Sequence, residues 1–258
     1  MHISQIIRIA RKYKLHEPLK PLRKLMPWPL KRWIELNTVR ELVSADQLKP
    51  QYVRALKTLS ETLGPEALGD YLEFGVSHGS SLTCMHQVLK ELNLEKVRIF
   101  GFDSFEGLPE NAKLEGIKQF IPGAFRSSIE KTKHFLSDNG IDWKKTFLIK
   151  GWYSDTLTEE LKLEHKITKA SVIMIDVDIY SSSVEALNFC KSLIKDTTII
   201  FFDDWYSLGL AEKNAGEKKA FDEFLKENPH FEVEDFGDYS FDGATTGKIF
   251  KVRRTGTV

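Results

Sequence analysis

Two short carboxylate runs hold the residues best suited to chemistry. One reads Met174-Ile175-Asp176-Val177-Asp178-Ile179-Tyr180-Ser181, the other Phe201-Phe202-Asp203-Asp204-Trp205. Each closes an apolar stretch of strand character, and the helix-like segment between them would make the two strands neighbours. Adjacent strands lie ~4.8 Å apart, so four carboxylates would gather at one sheet edge. Like charges that close raise one another's proton affinity unless a cation sits between them. Oxygen donors without Cys or His select Mg²⁺, with Ca²⁺ or Mn²⁺ as substitutes. A metal there would bind a substrate hydroxyl and lower its pKa. One Asp pair alone would read as a cap at the sheet rim, but two pairs on consecutive strands favour a cation site.

A second candidate is the turn Glu73-Phe74-Gly75-Val76-Ser77-His78-Gly79-Ser80-Ser81, which leaves a strand and opens a helix. In a doubly wound sheet, ligands bind beyond the carboxyl ends of the strands. The spacing is neither G-x-G-x-x-G nor a P-loop. Gly75 and Gly79 would let backbone approach a ligand, and Ser80 or Ser81 can cap the helix. Glu73 repels phosphate and suits a cationic ligand, as the ammonium and sulfonium of S-adenosylmethionine would be. The next strand ends Gly101-Phe102-Asp103-Ser104-Phe105-Glu106-Gly107-Leu108-Pro109, where an acid can accept both ribose hydroxyls of an adenosine. Trp152 and Tyr153 follow a third strand and could stack on adenine.

The elements that must position these groups alternate. Strands are expected at 70–74, 97–102, 146–149, 171–175 and 197–202, with helical spacing around 82–92, 129–139, 184–194 and 220–225. Continuous apolar strands alternating with helices imply an α/β fold with a mostly parallel, doubly wound sheet. Two further strands at 231–236 and 248–252 would flank a turn at 241–247 and form an antiparallel edge. Domain organisation reads as an N-terminal extension over 1–60, packing on the core or a partner subunit, and one domain over 61–258.

The whole chain has 258 residues, 41% hydrophobic and 29% charged, with no formal net charge. Residues 1–40 nevertheless carry ten Lys or Arg against Glu17 and Glu35. Pro18, Pro21, Pro27 and Pro29 break this basic arm, while Leu22, Leu25, Trp28, Leu30 and Trp33 suggest that it docks. The arm offers peripheral contact with a membrane surface and makes a homo-oligomer plausible. Two cysteines, Cys84 and Cys190, exclude a disulfide scaffold. No apolar run approaches a transmembrane span, and the N-terminus lacks an export signal, so a cytoplasmic protein is expected. No feature points to nucleic acid.

Six blocks in register are similar to the macrocin O-methyltransferase-like (TylF-type) family. They are 73–81, 102–109, Gly123-Ala124-Phe125, 151–157, 176–181 and Asp203-Asp204. The resemblance spans 65–252. It implies a Rossmann-like class I fold and a Mg²⁺- and S-adenosylmethionine-dependent O-methyltransferase acting on a hydroxyl, of a sugar in a natural product or glycan. It also implies metal ligands at Asp176, Asp203 and Asp204, with Asp178 as general base beside Asp176. The cofactor would lie on Glu73, Gly75, Val76, Ser77, Ser81, Asp103, Ser104 and Trp152, under a lid at 113–128. Trp205 stands where a Tyr is more usual, and Ser182-Ser183 where Ser-Thr is. Ile179 stands where catechol-type relatives place a lysine, which favours Asp178 or metal activation alone. Two rivals stay open at this point. One is a glycosyltransferase holding Mn²⁺ on Asp176-Val177-Asp178, against which the Glu73 turn argues. The other is a non-catalytic binding domain.

Overall fold

The structure is a computed structural model in which residues 45–241 and 244–256 are described; the basic arm of 1–40 lies outside them. Seven strands form one sheet in the order β3-β2-β1-β4-β5-β7-β6. They are β1 (Asp70–Phe74), β2 (Ile99–Asp103), β3 (Thr146–Lys150), β4 (Ala170–Ile175), β5 (Thr197–Phe202), β6 (Phe231–Phe241) and β7 (Ala244–Arg254). The first five run parallel. The C-terminal pair supplies the antiparallel edge, with β7 against β5 and β6 outermost.

Seven α-helices among the described residues connect and cover them: α1 (Ala45–Leu63), α2 (Ser80–Glu91), α3 (Ile129–Asp138), the single turn α4 (Tyr153–Thr156), α5 (Glu159–His165), α6 (Tyr180–Cys190) and α7 (Gly216–Glu227). No helix among the described residues is long and apolar enough to cross a membrane.

Side chains alternate across the sheet with period two, which sorts the core into two layers. Tyr71, Val172, Met174, Ile199 and Phe201 face α1, α2 and α3, meeting Leu48, Leu56, Leu82, Met85 and Leu136. Leu72, Phe74, Ile173, Ile175, Ile200 and Phe202 face α6 and α7, meeting Leu187, Phe189, Phe221 and Phe224. Helix α1 is integral to the first layer: Leu48, Tyr52, Ala55, Leu56 and Leu59 are buried along one of its faces. The compact unit therefore starts before residue 61 and takes in a helix that the sequence reading grouped with the arm.

Strand order reverses beside β1, whose neighbours are β2 and β4. Ligand sites in such sheets lie outside the carboxyl ends at this point. The carboxyl ends of β1, β2, β4 and β5 lead into Gly75, Asp103, Asp176 and Asp203 respectively, and all four line one crevice.

Candidate active site

A cavity of about 490 Å³ opens at that edge, lined from the ends of β1 through β5. Gly75, Ser77, Asp103, Ser104 and Trp152 line one part of it, and Asp176, Asp178, Asp203 and Asp204 the other. Among the described residues lining it there is no Lys or Arg.

The first part is built on the β1 turn. Asp103 Oδ2 accepts hydrogen bonds from the backbone amides of Val76 (2.9 Å) and Ser77 (2.8 Å), and Oδ1 accepts from Phe105 (2.6 Å). The amides that could cradle a phosphate are thus turned onto a carboxylate of the protein. Gly75 has φ +87°, and a Cβ on it would lie 1.8 Å from the carbonyl oxygen of Asp176. A Cβ on Gly79 would lie 2.9 Å from Leu136 Cδ2. Both glycines make room for neighbouring protein; Gly75 also lines the cavity, and Gly79 does not. Trp152 is partly exposed at the cavity wall. Behind it, the Tyr153 hydroxyl donates to the Phe102 carbonyl at 3.3 Å.

Three residues expected at the cofactor are not on the cavity surface. Glu73 shares the Tyr71 face of β1 and is fully buried beneath α2. Its carboxyl accepts from Tyr71 Oη at 2.5 Å and Ser81 Oγ at 2.6 Å, and Tyr71 in turn meets Tyr52 Oη of α1 at 2.8 Å. Burial pushes the Glu73 carboxyl up to about 8, opposed by those two hydrogen bonds. Ser81 is consumed by Glu73, and Val76 packs inward with its side chain against Gly101. The strand's period of two explains the difference: an acid one residue before the strand end points into the core on the Tyr71 side, not along the strand axis.

The second part is acidic. One carboxylate oxygen from each of Asp176, Asp203 and Asp204 lies within 4.8 Å of the others. Asp178, held in the left-handed region at φ 62°, is buried beside Asp204 and stays outside that trio. Burial first, and then the neighbouring acids, raise the proton affinity of Asp176 and Asp178 well above the usual carboxylate range. Burial and Asp204 lift Asp203 to about 7, although its Oδ1 accepts from Tyr239 Oη at 2.7 Å. An all-oxygen set this close and this hard to ionise suits a hard divalent cation.

Two side chains that support this cluster were missed in the sequence. Tyr239 arrives from β6, 35 residues beyond Asp204, and no local motif announces it. Glu217, in the first turn of α7, is fully buried and accepts from the amides of Asp204 and Val177. Its one signal is an acid at a helix start, a common helix-stabilising feature. The expected lid at 113–128 lies over the start of α6. Glu115 accepts from the Tyr180 amide at 2.7 Å, Asn111 donates to Ser181 Oγ at 3.1 Å, and Phe120 is buried with Leu108, Ile179 and Leu210. Phe125 stays exposed and lines the cavity mouth.

The model of the macrocin-O-methyltransferase (TylF) family matches residues 51–228, which include both parts of this cavity. The chain belongs to this family. A curated relative from Streptomyces olivaceus, 8-demethyl-8-(2,3-dimethoxy-alpha-L-rhamnosyl)-tetracenomycin-C 4'-O-methyltransferase, is 26% identical over 143 residues. That alignment covers 53% of each chain, so it spans about half the relative's length. The calicheamicin methyltransferase CalS11 superposes with a TM-score of 0.61 at 18% identity, covering 100% of this chain and 95% of its own. TomG from Streptomyces achromogenes gives 0.57 at 14% identity, with 86% and 85% covered. These structures share the fold: a class I O-methyltransferase sheet, mostly parallel with one antiparallel edge pair.

Proposed function

We propose that the protein is an S-adenosylmethionine-dependent O-methyltransferase that uses a divalent cation, Mg²⁺ or a close substitute, and acts on a sugar hydroxyl. The observation that carries this reading is one cavity with an Asp103-tethered turn at one end and three convergent carboxylates at the other. The donor would lie along the first part, its ribose on Asp103 and its adenine beside Trp152. Such a donor brings a methyl group activated on sulfur, and no phosphate. The cavity wall favours it over a nucleotide diphosphate, because the amides of Val76 and Ser77 are committed to Asp103 and no Lys or Arg lines it among the described residues. The same features weigh against the glycosyltransferase alternative.

Asp176, Asp203 and Asp204 are the residues we assign to hold the cation, which would lower the pKa of a coordinated hydroxyl. Asp178 is the assigned proton acceptor; its support is a carboxyl that lines the cavity beside the trio without belonging to it. Tyr239 holds one oxygen of Asp203 in place. The protein's contribution is then to hold two reactants in line and to provide a site for the released proton. A sugar acceptor is supported by two names: the Streptomyces olivaceus relative modifies a rhamnosyl tetracenomycin, and CalS11 is described as a TDP-rhamnose 3'-O-methyltransferase.

Calorimetric titration of S-adenosylhomocysteine and, separately, UDP-glucose, each with Mg²⁺ and with EDTA, tests the reading. Micromolar binding of S-adenosylhomocysteine alone is expected. A Mg²⁺-dependent response to the nucleotide sugar, with none to S-adenosylhomocysteine, would replace it with the glycosyltransferase.

A further inference from the structure

The two loops that carry the four aspartates leave the sheet where its hydrogen-bond ladder stops. Asp176 N still donates to the Phe74 carbonyl at 2.9 Å, and Asp203 N to the Ile175 carbonyl at 2.9 Å. One residue later the sheet has no carbonyl to offer. Buried backbone amides must nevertheless find acceptors. Both find the same one: Glu217 Oε2 accepts from Asp204 N at 3.0 Å, and Oε1 accepts from Val177 N at 3.5 Å, a longer contact. Glu217 itself is fully buried. Its helix is pressed onto the same loop, since a Cβ on Gly216 would lie 3.2 Å from the Asp178 carbonyl oxygen.

A buried carboxyl among four others is an expensive choice of residue. An apolar side chain would fill the space at lower electrostatic cost, but would leave two amides beside the aspartates unpaired. We infer that Glu217 is a positioning residue that ties the loop after β4 to the loop after β5 and thereby sets the spacing of Asp176 and Asp178 against Asp203 and Asp204. Val177 lies between the first two, and Asp204 is one of the second, so one carboxyl reaches the backbone of both pairs. Sheet pairing fixes the strands up to residues 175 and 202; beyond them, Glu217 continues the registration. The inference rests on the cation reading above for its readout, because spacing errors in the cluster would appear first as weakened cation binding.

The test compares wild type with Glu217→Gln, which keeps one acceptor oxygen, and Glu217→Met, which keeps the volume and removes both. Mn²⁺ affinity is measured by electron paramagnetic resonance, S-adenosylhomocysteine affinity by calorimetry, and folding by thermal melting. Loss of groups that orient metal ligands typically costs about 10–100-fold in metal affinity. The expected pattern is graded: about tenfold weaker Mn²⁺ binding in the Gln variant, about a hundredfold in the Met variant, and S-adenosylhomocysteine affinity within about threefold of wild type in both. Equal Mn²⁺ affinity in all three proteins would overturn the inference and leave the cation reading standing. So would parallel losses of both ligands and of melting temperature, which mark a fold-stabilising residue. An additional water on Mn²⁺ in the variants, seen by proton relaxation, would make Glu217 a direct ligand and also overturn it. Wild type that binds no Mn²⁺ would overturn the cation reading and this inference together.

Discussion

The two ends of the cavity treat carboxylates in opposite ways. At the β1 turn, Asp103 receives three backbone amides and is thereby paired by the protein itself. At the ends of β4 and β5, burial pushes Asp176, Asp178, Asp203 and Asp204 toward their protonated forms, and neighbouring acids add to this for the first three. At the first end the carboxylate is satisfied by backbone donors of its own turn. The second has excess negative charge, which a divalent cation would offset. A fold can thus place a binding wall and a reactive centre on one sheet edge by deciding which acids receive backbone donors.

If that division holds, substitutions at the acidic end should abolish turnover while sparing cofactor affinity. The largest effect is expected for Asp204→Ala: no detectable methyl transfer in a radiolabelled-donor assay, with S-adenosylhomocysteine affinity nearly unchanged. Activity of this variant in excess EDTA would remove the cation from the account. Asp178→Asn should lower kcat by about 10²–10⁴-fold, the usual worth of a positioned base, with a smaller change in acceptor KM. A kcat within twofold of wild type would show that the proton leaves by another route.

A smaller effect is expected for Tyr239→Phe, which removes the hydrogen bond to Asp203 Oδ1. Mn²⁺ affinity should fall by roughly tenfold, and an unchanged value would mean that Tyr239 serves packing alone. A separate effect, on stability and not on binding, concerns Glu73, which belongs to neither end. Burial raises its carboxyl from an ordinary 4.5 to about 8 in the folded protein. Below pH 4.5 both folded and unfolded chains hold the proton, and its stabilising contribution is fully present. As pH rises toward 8 the unfolded chain loses that proton first, so stability falls over this range. Urea melts between pH 5 and 8 should show a shallower decline for Glu73→Gln than for wild type. Parallel declines would mean that Glu73 is already ionised in the folded state.

Much of the fold was legible because buried parallel strands announce themselves as apolar runs. β1 and β5 fall where those runs fall, and the carboxylate pairs that follow β4 and β5 mark the acidic end. Helix α1 was hidden by Pro50 inside it and by the basic arm before it. Its buried face at Leu48, Tyr52, Ala55, Leu56 and Leu59 has helical spacing, which is the signal that was available. Glu73 was misplaced because a turn motif drew attention away from strand alternation, which puts it on the side of Tyr71. Tyr239 and Glu217 were not legible, since each acts through tertiary contacts made far along the chain, from an edge strand and a helix start.

The most direct test of this account is a paired titration of wild type and Asp176→Asn with S-adenosylhomocysteine and with Mn²⁺. The variant should keep S-adenosylhomocysteine affinity within about threefold while losing measurable Mn²⁺ binding, as expected when a primary ligand is removed and the other end is untouched. Loss of both affinities together, or retention of both, would contradict the division of the cavity into two separable ends.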